Sequence, residues 1–178
     1  RGIGQSGGRS ERATLQDYAD DLNAAIKWMS KRRDFDARRI AVVGHSEGGA
    51  VAMLAAAREK KIASVVLVAA PGSTGAALVL EQQQHLLDVA KAPEEERKAK
   101  IQLQEKIQQA VMTDTGWEGI PQGLRAQAES TLFRSFLLFD PAADLEPVTR
   151  YFFTLPGPPG PQQPPYLEKS FVTSLFAT

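Results

Sequence analysis

From Leu15 onward the apolar residues Leu15, Tyr18, Leu22, Ile26 and Met29 recur every three or four positions, which predicts an amphipathic helix from about Thr14 to Ser30. Thr14 and Asp17 have the spacing of a capping pair at its start. A charged connector follows, Lys31 to Arg39, with Lys31, Arg32 and Arg33 placed where a helix C-terminus favours cations. Phosphate binding by that basic cluster is the secondary reading. The pattern then changes to continuous apolar runs. Ile40 to Val43 and Ala63 to Ala70, the latter with Val65, Val66, Leu67 and Val68, predict two strands, and the small-residue stretch Gly48 to Lys60 between them predicts a helix. Strand, helix and strand in about thirty residues make a βαβ unit, whose parallel strands are expected to be buried on both faces. Two strands alone leave edges that something must cover.

Beyond Pro71 to Gly75, which ends the second strand, three more helices are predicted. Ala76 to Val89 carries Leu78, Leu86 and Val89, and a second helix starts at Pro93 with Glu94, Glu95 and Glu96 and runs to about Met112. Trp117 lies in a Gly-containing turn. A third helix, Leu124 to Phe139, concentrates Leu132, Phe133, Phe136, Leu137 and Phe139, which read first as core and second as the lining of an acyl pocket. From about Pro156 six prolines in eleven residues exclude a helix or an interior strand, so an extended, irregular tail with a short apolar end, Phe171 to Phe176, is expected. A proline-rich ligand for a partner domain is its other reading. The division that results is a sheet-bearing core over 1–75, a helical region over 76–145 and a Pro-rich tail over 146–178.

Composition narrows the function classes. With 178 residues, 43% of them hydrophobic, the chain can bury a core. Twenty-one basic and twenty-one acidic residues cancel, so no global field points to nucleic acid or to an acidic membrane as the partner, and a small neutral ligand fits better. The absence of cysteine removes disulfides, thiolate catalysis and Cys-based metal sites. No apolar run reaches the ~20 residues of a membrane span, and no signal-peptide pattern opens the chain. The first residue, Arg1, suggests an excised piece of something longer. The glycines of Arg1 to Ser10 predict a loop; Gly2, Gly4 and Gly7 have dinucleotide-loop spacing, but no strand precedes them and no Lys-Ser/Thr pair closes a P-loop.

The chemistry sits between the two strands. Arg39 to Gly49 reads R-I-A-V-V-G-H-S-E-G-G, and Gly44-His45-Ser46-Glu47-Gly48 matches G-x-S-x-G, the nucleophile elbow, with the strand before it and the helix after it that the motif requires. Ser46 is the candidate nucleophile. Gly44 and Gly48 are expected where a side chain would collide with the backbone crossing the turn. The alternative is an ordinary strand-to-helix turn with Ser46 as the N-cap.

With these residues in view, Arg1 to about Leu145 resembles the middle of an α/β-hydrolase of the serine aminopeptidase and monoacylglycerol-lipase-like branch, and the resemblance implies truncation at both ends. R-G-I-G-Q-S-G-G, A-I-K-W-M, I-A-V-V-G-H-S-E-G-G and V-V-L-V-A-A-P-G fall in family order. The resemblance implies an α/β fold with a mainly parallel eight-stranded sheet, here a partial one with a short sheet, flanking helices and a helical cap matched in position by Ala76 to Phe139. It implies no cofactor and no metal. It also implies attack by Ser46 Oγ on an ester carbonyl, an acyl-enzyme, and one oxyanion-hole donor from the backbone N–H of Glu47. The compartment it suggests is that of a soluble bacterial enzyme, cytoplasmic or secreted.

The same resemblance leaves the rest of the machinery open. The family's acid and base follow the cap, but no His lies beyond His85, and the second oxyanion donor would come from a segment before Arg1. His45 belongs to the elbow, with its side chain expected to point away from Ser46, so His85 is the candidate base; Asp88, Asp114, Asp140 and Asp144 are unranked orienting acids. Two readings follow. One is a serine hydrolase of small carboxylic esters, possible as a homo-oligomer through sheet edges. The other is a non-catalytic fragment that binds a ligand or partner.

Overall fold

The first strand, β1 (Ile40–His45), is followed by α2 (Glu47–Arg58) and β2 (Ile62–Val68), and α1 (Leu15–Met29) precedes them. The computed structural model describes residues 1–145 and 152–155. Its other helices are α3 (Gly75–Val89), α4 (Glu94–Thr113), α5 (Gln122–Ala128), α6 (Thr131–Leu137) and α7 (Pro141–Leu145), with a single 3-10 turn at Ser10–Arg12 and a last strand, β3 (Phe152–Leu155). The chain forms two compact units, one of Arg1–Thr14 and Ser73–Phe139 and the other of Leu15–Gly72 and the described residues from Asp140 onward. No described helix is long and apolar enough to cross a membrane.

In the sheet-bearing unit the three strands lie in the order β1-β2-β3, all parallel. The third strand corrects the expectation of a two-stranded sheet. Its four residues are too few to show an alternation, and they sit just before the prolines that dominate the local composition. The Pro-rich tail expected from Pro156 lies outside the described residues.

Register explains which side chains are buried. Ile40 pairs with Ile62, and after a one-residue irregularity Val42 pairs with Val65 and Gly44 with Leu67. These six residues are buried, whereas the alternate positions Ala41, Val43 and His45 are exposed. Both faces of β1 were expected to be covered; instead Val43 is 68% exposed. The reason is that α2 packs on β1 and β2 from one side and no described element of this unit covers the other.

The helix α1 buries Leu15 and Ile26 of the predicted stripe together with Ala19 and Asn23, while Tyr18, Leu22 and Met29 of that stripe are half-buried. It packs on α2, whose buried residues are Gly49, Ala50, Ala52, Met53, Ala55 and Ala56. Apart from Met53 these α2 residues are small, and helix separation follows the size of the side chains at the contact.

The helical unit has its own core of Ile107, Ala110, Val111, Ile120, Ala128 and Leu137, with Phe133 and Trp117 packed against it. Of the residues expected as core, Leu137 and Phe139 are buried, and Leu132, Phe133 and Phe136 are half-buried. The single helix expected from Leu124 to Phe139 is two helices, because Ser130 interrupts it: its Oγ accepts a hydrogen bond from the Phe133 N–H at 3.2 Å and starts α6 as an N-cap. Gly75 opens α3 directly against the end of α6, its N–H donating to the Phe139 carbonyl at 2.9 Å. A methyl group there would collide with the Phe136 carbonyl oxygen.

Candidate active site

At the end of β1 the chain turns through Ser46, whose φ of 52° and ψ of −126° lie in a region that a non-glycine residue adopts only under strain. Two backbone hydrogen bonds hold it there. The Ser46 N–H donates to the Val68 carbonyl at 3.0 Å, which extends the β1–β2 pairing by one residue, and the Ser46 carbonyl accepts from the Gly49 N–H at 2.8 Å, which begins α2.

The Ser46 side chain makes no capping bond to α2 and is exposed. An N-cap serine would place its Oγ on the backbone N–H groups of the first helical turn. The strained backbone and the uncapped hydroxyl distinguish this turn from an ordinary serine-capped one. The N–H of Glu47, the first residue of α2, is among those a helix leaves without an intrahelical acceptor, and the positive end of the helix dipole adds to its pull on an anion.

The glycines divide differently from the expectation. A methyl group on Gly44 would meet Gly49 Cα at 2.7 Å and clash with the Gly48 carbonyl, so glycine is required there. Gly48 faces open space, with nothing within 4 Å of an added methyl, and its expected steric role is corrected. The second constrained position is Gly49, where a methyl would run into the side chain of Ala70. The motif's symmetry about Ser46 hides this, because the close approach is set by the end of β2 and not by the turn itself. Ala69 shares in it: its φ of 46° turns the chain out of β2 and brings Ala70 beneath α2. The only sequence signal for that bend is Pro71, two residues on.

The remaining candidates are distributed as follows. His45 ends β1 with an exposed side chain. His85 stands half-buried in α3, in the helical unit, whereas Ser46, Glu47 and the elbow glycines belong to the sheet-bearing unit. Among the described residues Ser46 Oγ makes no hydrogen bond. Three of the four candidate acids already have partners. Asp88 pairs with Arg97 at 2.5 Å, Asp140 Oδ1 accepts from the Ala142 N–H at 2.9 Å, and Asp144 Oδ2 accepts from the Asp140 N–H at 3.3 Å. Asp114 is the left-handed residue that ends α4.

Comparison with known proteins supplies the context for this turn. No curated protein matches the chain. A family model does: that of serine aminopeptidase S33, over residues 1–115, a span that contains β1, the Ser46 turn, α2, β2 and α3. The chain belongs to the serine aminopeptidase S33 family of α/β-hydrolases.

Proposed function

We propose that the chain is a serine hydrolase that cleaves small carboxylic esters through an acyl-enzyme on Ser46. The observation that carries this reading is the strained Ser46 backbone with its uncapped, exposed hydroxyl. Such strain costs of the order of 1–3 kcal/mol and persists where the surrounding structure enforces it. In the proposed reaction His85 accepts the Ser46 proton as Oγ bonds to the ester carbonyl carbon. The oxyanion that forms is held by the N–H of Glu47. The protonated imidazole then gives its proton to the departing alcohol as the carbonyl–oxygen bond breaks. Water repeats the sequence on the acyl-enzyme, releasing the acid and Ser46. The role of His85 requires its imidazole within about 3 Å of Oγ during the reaction. Self-association through the outer edge of β1, which pairs with no other described strand, is part of the same reading.

The test is labelling of the purified chain by a fluorophosphonate, which reports an activated serine, together with turnover of a short-chain nitrophenyl ester. Labelling that is lost in Ser46→Ala, and turnover that is lost in both Ser46→Ala and His85→Ala, support the reading. A second reading has an observation of its own. Ser46 Oγ lacks a partner among the described residues while Asp88, Asp140 and Asp144 are committed elsewhere, as expected of a fragment that binds without catalysing. A folded chain that neither labels nor turns over ester overturns the catalytic reading and leaves the second one standing.

A further inference from the structure

The chain as a whole is neutral, but its charges are not evenly placed. The segments 27–39 and 59–61 hold eight cations (Lys27, Lys31, Arg32, Arg33, Arg38, Arg39, Lys60 and Lys61) against three carboxylates (Asp34, Asp36 and Glu59), a net charge of +5. The fold joins these segments at one end of the sheet. Ile40 pairs with Ile62, so Arg39 and Lys61 precede neighbouring strand starts, and Lys61 Nζ donates to Ser30 Oγ at 2.7 Å while Lys27 lies 3.9 Å from Glu59. All eight cations are exposed, and Lys31, Arg33, Arg39 and Lys60 have no ion-pair partner among the described residues.

Two large aromatic residues stand in the middle of this patch. Trp28 is 60% exposed and Phe35 43% exposed. The Arg32 guanidinium lies over both rings, 4.8 Å from the Trp28 centroid and 5.7 Å from that of Phe35, and is itself fixed by two hydrogen bonds to the Asp34 carboxylate. The rings are therefore held at the surface by a guanidinium that lies over one face of each and leaves the other open.

We propose that this patch docks on an anionic phospholipid surface. The cations attract the headgroups, and Trp28 and Phe35 insert at the headgroup level, where aromatic rings with cations around them are favoured. A single-stranded nucleic acid is the alternative occupant. Its bases would stack on the ring faces that Arg32 leaves open, and the experiment separates that outcome from lipid docking. The proposal is independent of the Ser46 chemistry, because the patch lies at the strand starts and the elbow at the strand ends.

The experiment is flotation of the full chain with phosphatidylcholine vesicles and with vesicles in which part of the phosphatidylcholine is replaced by phosphatidylserine. Trp28 emission is followed in a Trp117→Phe background. Binding confined to the anionic vesicles, weakened by salt and accompanied by a blue shift of Trp28, is expected. Each cation near such a surface contributes about fivefold in affinity, so Lys31→Gln/Arg33→Gln should bind about 25-fold more weakly. Trp28→Ala should also bind more weakly, with its circular dichroism unchanged. Equal binding to both vesicles, no binding to either, an unshifted Trp28, or preference for an oligonucleotide or acidic peptide over the vesicles overturns the proposal.

Discussion

The backbone N–H of Ser46 donates to the carbonyl of Val68 at 3.0 Å, so the turn that carries the candidate nucleophile is held by the last residue of the neighbouring strand. The β1–β2 register is what places that carbonyl, with His45 opposite Val68. The Ser46 turn is therefore a property of the β1–β2 pair and not of five residues alone.

The glycines around that turn should respond unequally. Gly44→Ala and Gly49→Ala each force a methyl into packed atoms and should cost about 1–3 kcal/mol of stability. Gly48→Ala meets open space within α2 and should be neutral or gain up to about 1 kcal/mol from helix propensity. Urea midpoints of the three variants check the order.

Relief of the Ser46 backbone should separate stability from chemistry. Glycine populates positive φ readily, so Ser46→Gly is expected to gain about 1 kcal/mol while losing fluorophosphonate labelling. Ser46→Ala keeps the strain and should lose labelling without that gain. A Ser46→Gly variant no more stable than Ser46→Ala would show that the turn stores little strain.

In the helical unit, Ser130→Ala removes the hydroxyl that starts α6 and should cost about 1 kcal/mol, with Ser130→Asp close to the parent. The Arg134 guanidinium donates to the carbonyls of Val111 and Met112 at the end of α4, so Arg134→Met should lower the thermal midpoint as well.

The Asp34 carboxyl should titrate below the ordinary aspartate range, chiefly because of its hydrogen bond from Arg32. Its folded-state value is the lower one. The contribution of the pair is therefore present above the ordinary aspartate value and is lost as the pH falls through the lowered one. Carbon NMR titration of Asp34 should show the depressed value in the parent chain and a return towards the ordinary range in Arg32→Gln.

Read from the amino acids alone, the order of elements around the elbow was already determined. The apolar runs at 40–43 and 63–70 and the small-residue helix between them are local patterns, and each appears within two or three residues of its expected bounds. The break at Ser130 was also local, but the apolar pattern runs through it and concealed a capping residue with a helix on either side. What only the tertiary structure decided depends on partners distant in the chain. Gly49 is constrained and Gly48 free because Ala70 arrives from β2, about twenty residues away. The strand at Phe152–Leu155 exists because β2 offers it an edge, and the open face at Val43 exists because α2 covers only one side. Periodicity reports what a residue would suit; burial and close approach are set by what the rest of the chain brings against it.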